Sequence, residues 1–434
     1  MSRGNSPCRC LASLALVAGI SLSASAQAPD PTQAKELTLD DARARALESG
    51  PQTRGAAAHL AAAEGALVQA RALPNPDLTF EIEDFGGNLP ADAPSQRTLS
   101  IGQRVEWFGK RSARVAAARF GRDVAALDLA RHRRDVEHEV ARRFAALLGA
   151  QERLAIAEES TATAREVRSA VTALVSAGEV SPIEETRVAG DEALAGIERD
   201  AAARDVADAA RALAQLWGVA TGPTLRATGF LARSAPLPGN DAAPAGVAEP
   251  ARLAELPDLA RWDAEIARLE ALGTLARREP LPDVTLTAGT RSFSGTGQRT
   301  WVTGVSLPLP VLTTGTGARS EAAARLEQAR QERRADEARL TASLRTAEEA
   351  RRHTAREVRI LEETVLPNAR LVYDAIGEGY RRGKFRLLEL LEARRNLASV
   401  RLRAIDARTR LTLALADVFR LTPEALPEEK RGPE

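Results

Sequence analysis

Cysteine is almost absent from this chain of 434 residues. The two cysteines, Cys8 and Cys10, both precede an apolar run from Leu11 to Leu22, and their C-x-C spacing suggests no metal site. Basic residues before this run and small residues after it predict that residues 1–28 are a secretory signal peptide. The exported chain would then contain no cysteine, so its stability must come from length and packing rather than from disulfide bonds.

Several residue types that carry chemistry are also scarce. The chain has four histidines, one methionine and 3% aromatic residues, and we recognise no nucleophile–base arrangement. These counts predict no catalytic, cofactor-binding or permanent metal site, and hence no enzyme. A formal net charge of +1 argues against nucleic acid as a partner. The sequence Gly315-Thr316-Gly317 lacks the later glycine and the lysine of a phosphate loop, and we interpret it as a strand-to-helix junction.

Four segments of about ten residues alternate apolar and polar side chains, which predicts strands. Their length suits a tilted strand that spans a membrane, for which about 9 to 11 residues are needed. Four strands cannot close a barrel alone, so closure would require several chains. We expect Phe80, Ile101, Leu286 and Val305 to face lipid. The opposite alternation, which would face water, contains Thr79, Glu81, Ser100, Arg104, Thr285 and Thr287.

Most of the remaining sequence predicts long helices. No proline occurs for sixty-odd residues after Gly109, and a helix to about Val175 would be about 100 Å long at ~1.5 Å rise per residue. Gly178 and Pro182 then predict a break, after which a second helix returns to about Trp217. The second half predicts a long helix over Glu321–Ile376 with a kink at Pro367, a break through Gly377, Gly379 and Gly383, and a last helix to about Arg420.

The order of strands and helices occurs twice, at a nearly constant offset. Pro282 matches Pro76 at an offset of 206, and Gly383 matches Gly178 at an offset of 205. This pattern predicts a tandem duplication. The predicted divisions are a first repeat over 37–217, a connector over 218–250, a second repeat over 251–421 and a C-terminal tail over 422–434.

The last helix carries a heptad pattern. A seven-residue repeat joins Leu390, Leu397, Ala404, Leu411 and Val418, and alanine occupies most of the positions three residues after the first four. Small residues there let a neighbouring helix approach closely, and a strict seven-residue period predicts left-handed supercoiling. The fold predicted from these patterns is mostly helical, with long helical hairpins and four strands per chain that belong to a membrane barrel.

The order and spacing of several segments resemble the TolC-like outer-membrane efflux proteins. The segments are LPNPDLTF and LPDVTLT at the strands, LPNARLVYDA inside the second long helix, and GYRRGKFRLLELLEARRNLA at the second hairpin. The resemblance implies a homotrimer with a twelve-stranded barrel in outer-membrane lipid and a long periplasmic helical tunnel. It also implies a periplasmic adaptor and an inner-membrane pump of the resistance-nodulation-division type. The segment VEWFGKR resembles the branch that exports heavy-metal cations.

The resemblance also implies two kinds of functional site. A periplasmic gate would comprise Tyr380, Glu389 and Glu392, the positions that match a tyrosine and two acids in the family. The family docks its adaptor at the hairpin tips. Those positions are Gly178, Glu179, Ser181 and Pro182 in the first hairpin and Gly383, Lys384 and Phe385 in the second.

Two other functions compete with an outer-membrane exit duct. A periplasmic adaptor also has long helical hairpins, but this chain has two hairpins and no all-β segments between them. A secreted coiled-coil structural or adhesive protein would not need four strands of membrane-spanning length. Extraction of a trimer from the outer membrane, rather than from a water-soluble pool, separates the duct from both alternatives.

Overall fold

The computed structural model describes residues 35–84, 95–219, 225–229, 231, 253–311 and 314–423. The predicted signal peptide, most of the predicted connector and most of the C-terminal tail lie outside these residues.

The first half of the chain contains a short strand, two helices, two longer strands and then a pair of long helices. In chain order its elements are β1 (Lys35–Leu37), α1 (Leu39–Ser49), α2 (Pro51–Arg71), β2 (Asp77–Glu83), β3 (Gln96–Val105), α3 (Lys110–Ser176) and α4 (Pro182–Ala214), with a 3₁₀ turn at Gln215–Trp217.

The second half repeats this order with one interruption. A short strand comes first, and the long helix that corresponds to α3 is divided by a π-helical turn. The elements are β4 (Leu225–Ala227), α5 (Pro257–Arg278), β5 (Val284–Phe293), β6 (Arg299–Ser306), α6 (Thr316–Ile360), the π turn (Leu361–Val365), α7 (Leu366–Arg381) and α8 (Leu387–Arg420).

Glycines in the left-handed conformation mark both ends of both long helices. Gly109 and Gly315, with φ of 71° and 69°, precede α3 and α6. Gly178 and Gly383, with φ of 76° and 71°, follow α3 and α7. Glycine adopts this conformation without the steric cost that a Cβ atom would add. The long helices of the two halves therefore begin after, and end before, a glycine of the same conformation.

The two hairpin tips also share their hydrogen bonds. The Glu179 amide donates to the Leu174 carbonyl at 3.0 Å, and the Lys384 amide donates to the Gly379 carbonyl at 2.8 Å. This six-to-one bond across a left-handed glycine is a Schellman motif. The prediction of a long glycine break in the second tip is wrong in extent, because Gly377 and Gly379 lie within α7 and only Gly383 is left-handed. Gly379 instead gives Phe385 room, since a Cβ atom there would lie 2.2 Å from the ring.

Pro367 lies in the first turn of α7, directly after the π turn at Leu361–Val365. Proline has no amide proton, and its ring collides with the carbonyl one turn earlier in a regular α-helix. A wider π turn at this position relieves that collision. The predicted disturbance at Pro367 therefore occurs as a local change of helix type.

Helix α3 is the element on which the others pack. It contacts α1, α2, α4, α5 and α8. The largest core joins Val140, Phe144 and Leu147 of α3 to Leu213 of α4 and to Leu37 of β1. Strand β1 pairs in parallel with β4, so the start of the described chain is tied to the region between the two halves.

The middle of the α8 heptad pattern is buried, whereas Leu390 and Val418 at its ends are half-buried. Leu397, Ala404 and Leu411 are each at most 6% exposed, and Leu397 packs against α7 and Leu411 against α6. A second buried side of α8, which includes Ile405 and Thr409, packs against α3. The helices α4, α3, α8 and α7 therefore lie side by side, each packing on the next, with α4 and α7 at the two edges of the layer.

Candidate functional site

The sheet formed by β2, β3, β5 and β6 separates polar from apolar side chains. Its strands are antiparallel in the order β2-β3-β5-β6, so directly paired residues point to the same side. Pairing of Leu78 with Ile101 and of Leu286 with Val305 fixes the apolar face. That face contains Leu78, Phe80, Ile82, Leu99, Ile101, Val105, Leu286, Trp301 and Val305, all of them at least 36% exposed.

The opposite face of this sheet is polar. Thr79 pairs with Ser100 and Arg104 pairs with Thr285, so the residues expected to face water share one side. Arg291 on this face donates to Thr98 at 3.0 Å and forms an ion pair with Glu83 at 3.2 Å. The register thus brings the four predicted lipid-facing residues onto one face and the six predicted water-facing residues onto the other.

Both edges of the sheet lack a partner strand within the described part of the chain. Strand β2 pairs only with β3, and β6 pairs only with β5. Unpaired edge strands expose backbone donors and acceptors that a neighbouring strand can satisfy. The sheet is therefore an open segment with two edges available for pairing.

Ion pairs join the sheet to the helices, and two of them involve charged residues of the segment VEWFGKR. Glu106 accepts two hydrogen bonds from Arg114, at 2.6 and 2.9 Å. Lys110 is 5% exposed and lies 3.0 Å from the Asp283 carboxylate before β5. The charged residues of this segment connect strand to helix, a role that the sequence pattern did not indicate.

The tip residues lie at the ends of the hairpins, as expected. Ser181 caps α4 by accepting from the Ile183 amide at 3.4 Å, and Pro182 is the first residue of that helix. All seven predicted tip residues are exposed, namely Gly178, Glu179, Ser181, Pro182, Gly383, Lys384 and Phe385. The tips are therefore accessible in a single chain.

The three residues of the predicted gate lie around the second tip, but their environments differ. Tyr380 is half-buried in the last turn of α7, and Glu392 is exposed on α8. Glu389 is also exposed, but its carboxylate accepts from the Arg386 amide at 2.7 Å and so caps the start of α8. Glu389 therefore has a contact within its own chain, whereas Glu392 has none in the described ranges, and the gate itself stays a prediction.

Of the two histidines in α3, His132 is exposed, whereas His138 is half-buried and contacts another helix. His138 lies 2.7 Å from Asp417 of α8, and Arg142 donates to the same carboxylate at 2.9 Å. Burial raises the pKa of Asp417, but the hydrogen bond from His138 and the charge of Arg142 outweigh burial and lower it overall. This histidine joins α3 to α8.

Exposed apolar side chains lie along both edges of the helical layer. Ile183, Leu194 and Ile197 of α4 and Ile360 and Leu371 of α6 and α7 are between 59% and 70% exposed. Ile183 and Leu194 are eleven residues apart within α4, so they lie on one side of that helix, three turns apart. Ile360 and Leu371 lie on either side of the π turn at Leu361–Val365. We call these surfaces the α4 stripe and the α7 stripe. The spacing of these residues is visible in the sequence, but only the packing shows that their side chains are left exposed.

No helix in the described ranges is both long and apolar enough to cross a membrane. No group of three or more His, Cys, Asp or Glu side chains in those ranges is arranged to hold a metal ion.

Comparison with known proteins identifies the family of this architecture. The protein-family model "Outer membrane efflux protein" matches residues 42–219 and 251–422. The cobalt-zinc-cadmium resistance protein CzcC of Cupriavidus metallidurans is 32% identical over 370 residues, which cover 85% of this chain and 85% of that protein.

Solved structures share the fold at low sequence identity. The crystal structure of CusC superposes with a TM-score of 0.74 at 17% identity, covering 88% of this chain and 92% of that one. The Campylobacter jejuni outer membrane channel CmeC gives a TM-score of 0.74 at 18% identity, covering 88% of this chain and 85% of that one.

Proposed function

Because the chain belongs to the outer membrane efflux protein family, we propose that three copies of it form the exit duct of a tripartite efflux machine that exports heavy-metal cations. The family places the protein in the outer membrane as an efflux channel, with its long helices in the periplasm. The trimer, the cargo and the partner proteins are the parts that we propose.

The observation that carries this proposal is the two-faced sheet with two unpaired edges. An apolar face that is exposed along four strands is costly in water, but it suits the hydrocarbon region of a membrane. Backbone groups at open edges cannot remain unpaired in lipid, so β2 of one copy must pair with β6 of the next. Three sheets of four strands then close a barrel of twelve strands, a size that outer-membrane barrels use.

The helical layer supports the same assembly. The α4 stripe lies at one edge of the layer and the α7 stripe at the other, so neighbouring copies around a threefold axis would cover both. Leu194 lies 16 residues from the first tip glycine, Gly178, and Leu371 lies 12 residues from the second, Gly383. The two stripes thus occupy similar heights above the tips.

The cargo proposal rests on the names of relatives and on the resemblance of the segment VEWFGKR to the family branch that exports heavy-metal cations. A relative that covers 85% of this chain is named a cobalt-zinc-cadmium resistance protein. We propose that this duct receives such cations from a resistance-nodulation-division pump through a periplasmic adaptor. The duct itself would hold no resident metal, since selection in such machines belongs largely to the pump.

The assembly is tested on protein extracted from membranes in detergent. We expect it to sediment with the outer membrane, to have the mass of a trimer by light scattering, and to conduct ions in planar bilayers. Changing both Leu194 and Ile197 to Glu should yield monomers, because carboxylates would replace the apolar contacts of the α4 stripe. A water-soluble periplasmic pool of the wild-type protein would contradict the proposal.

The cargo is tested separately in cells. A strain that lacks this chain but keeps its pump and adaptor should accumulate more Zn²⁺, Co²⁺ or Cd²⁺ during exposure, and the wild-type gene should reverse this. Unchanged accumulation of all three cations would contradict the metal cargo while leaving the duct in place.

A further inference from the structure

A groove between α6 and α8 carries positive charge that the chain does not neutralise. It has a volume of about 640 Å³, and the basic side chains at its walls are His353, Arg356, Arg403 and Arg410. Two acids also line it, and each is already paired. Glu357 accepts from Arg410 at 2.6 Å, and Asp406 accepts from Arg153 of α3 at 2.6 Å.

The remaining basic groups have no acidic partner in the described ranges. Neither Arg356 nor Arg403 has a carboxylate within ion-pair distance there, and His353 has no hydrogen bond in those ranges. All three side chains are exposed. The groove therefore has two unpaired guanidinium groups that a carboxylate from outside the chain could reach.

The groove continues the α7 stripe. Ile360, which belongs to that stripe, also lines the groove. Moving away from the tip, this edge of the layer is first apolar, at Leu371 and Ile360, and then basic, at Arg356 and His353. Any neighbour that covers the stripe therefore passes beside the groove.

The α4 stripe is also followed by charged side chains, but these are acidic. Asp205 lies eleven residues after Leu194, and Asp208 lies eleven residues after Ile197, so each acid continues the line of an apolar residue. Both acids are exposed. Asp208 contacts Arg211 of its own helix, whereas Asp205 has no hydrogen bond or ion pair in the described chain.

The acids and the α6 wall of the groove lie at the same distance along their helices from the hairpin tips. Asp205 lies 27 residues after Gly178, and Arg356 lies 27 residues before Gly383. At ~1.5 Å rise per residue both are roughly 40 Å from their tip glycines. Asp208 and His353 match in the same way, each 30 residues from its tip glycine.

We propose that the groove receives Asp205 of a neighbouring copy, with Asp208 of that copy beside it, and that this contact sets the register between adjacent chains. The inference rests on the proposed trimer and adds a specific ionic contact to it. Apolar stripes can slide along one another, whereas a carboxylate between Arg356 and Arg403 has one favourable position.

The test is a charge exchange in the full-length, detergent-purified protein. Changing Arg356 and Arg403 to Glu, or Asp205 and Asp208 to Arg, should each raise the concentration at which the trimer half-dissociates by about tenfold or more. Combining the two sets of changes should restore the wild-type value. Arg370→Glu is the control, because Arg370 is exposed on α7, lines no part of the groove and should leave assembly unchanged.

A second measurement does not depend on charge. The only cysteines are Cys8 and Cys10, so a chain carrying Asp205→Cys and Arg356→Cys should form disulfide-linked dimers and trimers on oxidation. A wild-type trimer that neither reversal weakens, with no crosslink, would overturn this inference and leave the duct intact. Weakening by both reversals without restoration in the combined protein would also overturn it, because the two sets of charges would then act independently of each other. A wild-type monomer would instead contradict the proposed trimer.

Discussion

Asp258 shows how single charged residues hold the distant segments of this chain together. It is 8% exposed, lies in the first turn of α5, and accepts two hydrogen bonds from Arg420 of α8 at 3.0 Å each. Arg131 of α3 lies 3.3 Å away, and Arg420 also donates to Asp135 at 2.6 Å. Burial raises the pKa of Asp258, but Arg420 and Arg131 outweigh burial and lower it overall.

We predict that Asp258→Asn destabilises the protein by about 1.5 to 3 kcal/mol at neutral pH, the range for hydrogen bonds to charged groups. Arg420 would remain buried but would keep only Asp135 as a charged partner. Thermal unfolding in detergent measures the change. Glu321→Gln is the control, because Glu321 pairs with Arg325 on the surface and should contribute less than about 1 kcal/mol.

The pH dependence follows from the direction of the shift. A carboxyl whose pKa is lower in the folded than in the unfolded chain stabilises the fold above its unfolded pKa, about 3.9 for Asp. That stabilisation is lost as the pH falls through the lower, folded value. The stability difference between wild type and Asp258→Asn should therefore be constant near neutrality and shrink below about pH 4. A difference that persists in strong acid would contradict the assignment.

Glu389 and Glu392 are predicted to differ when changed singly. Replacing both by alanine should alter the cation selectivity of single channels and weaken block by multivalent cations from the periplasmic side. We attribute this effect to Glu392, since Glu389 caps α8 through the Arg386 amide. Glu389→Ala should mainly loosen the start of α8. An unchanged channel after the double replacement would remove the gate from this position.

At the scale of elements, the two faces of the sheet should respond oppositely to added charge. Arginine at Phe80, Ile101, Leu286 or Val305 should cost about 2 to 4 kcal/mol near the bilayer midplane. Arginine at Thr79 or Thr287 should cost little, because these side chains point to the polar face. Unfolding free energies in lipid vesicles give the comparison, and equal costs on both faces would contradict the barrel.

At the scale of the whole molecule, the two tips lie at corresponding ends of the two hairpins. They share a left-handed glycine and a six-to-one hydrogen bond. The matched glycines at both ends of the long helices also support our proposal of two repeats, over 37–217 and 251–421.

We predict that the tips contact the periplasmic adaptor. Cysteines at Glu179 and Lys384, which are exposed, should crosslink in cells to cysteines at the hairpin tips of the adaptor. Cysteines at Arg165 and Arg359, farther up the helices, provide the comparison. Crosslinking only at these flanking positions would favour side-on docking.

Local patterns were sufficient to predict much of this protein. Alternation in β2, β3, β5 and β6, the absence of proline from α3, and glycine at the tips depend on neighbours in sequence, because backbone conformation and side-chain period are local properties. The family resemblance, which the comparisons confirm, also depended on the order of such segments.

Tertiary structure alone decided the contacts between distant segments. The pairing of β1 with β4, the position of His138 against Asp417, and the contact of Arg420 with Asp258 join residues that no periodicity relates. The same is true of the uncovered stripes on α4 and α7. Whether an apolar residue is buried or exposed depends on which helix packs against it, and that is determined by the arrangement of the whole chain.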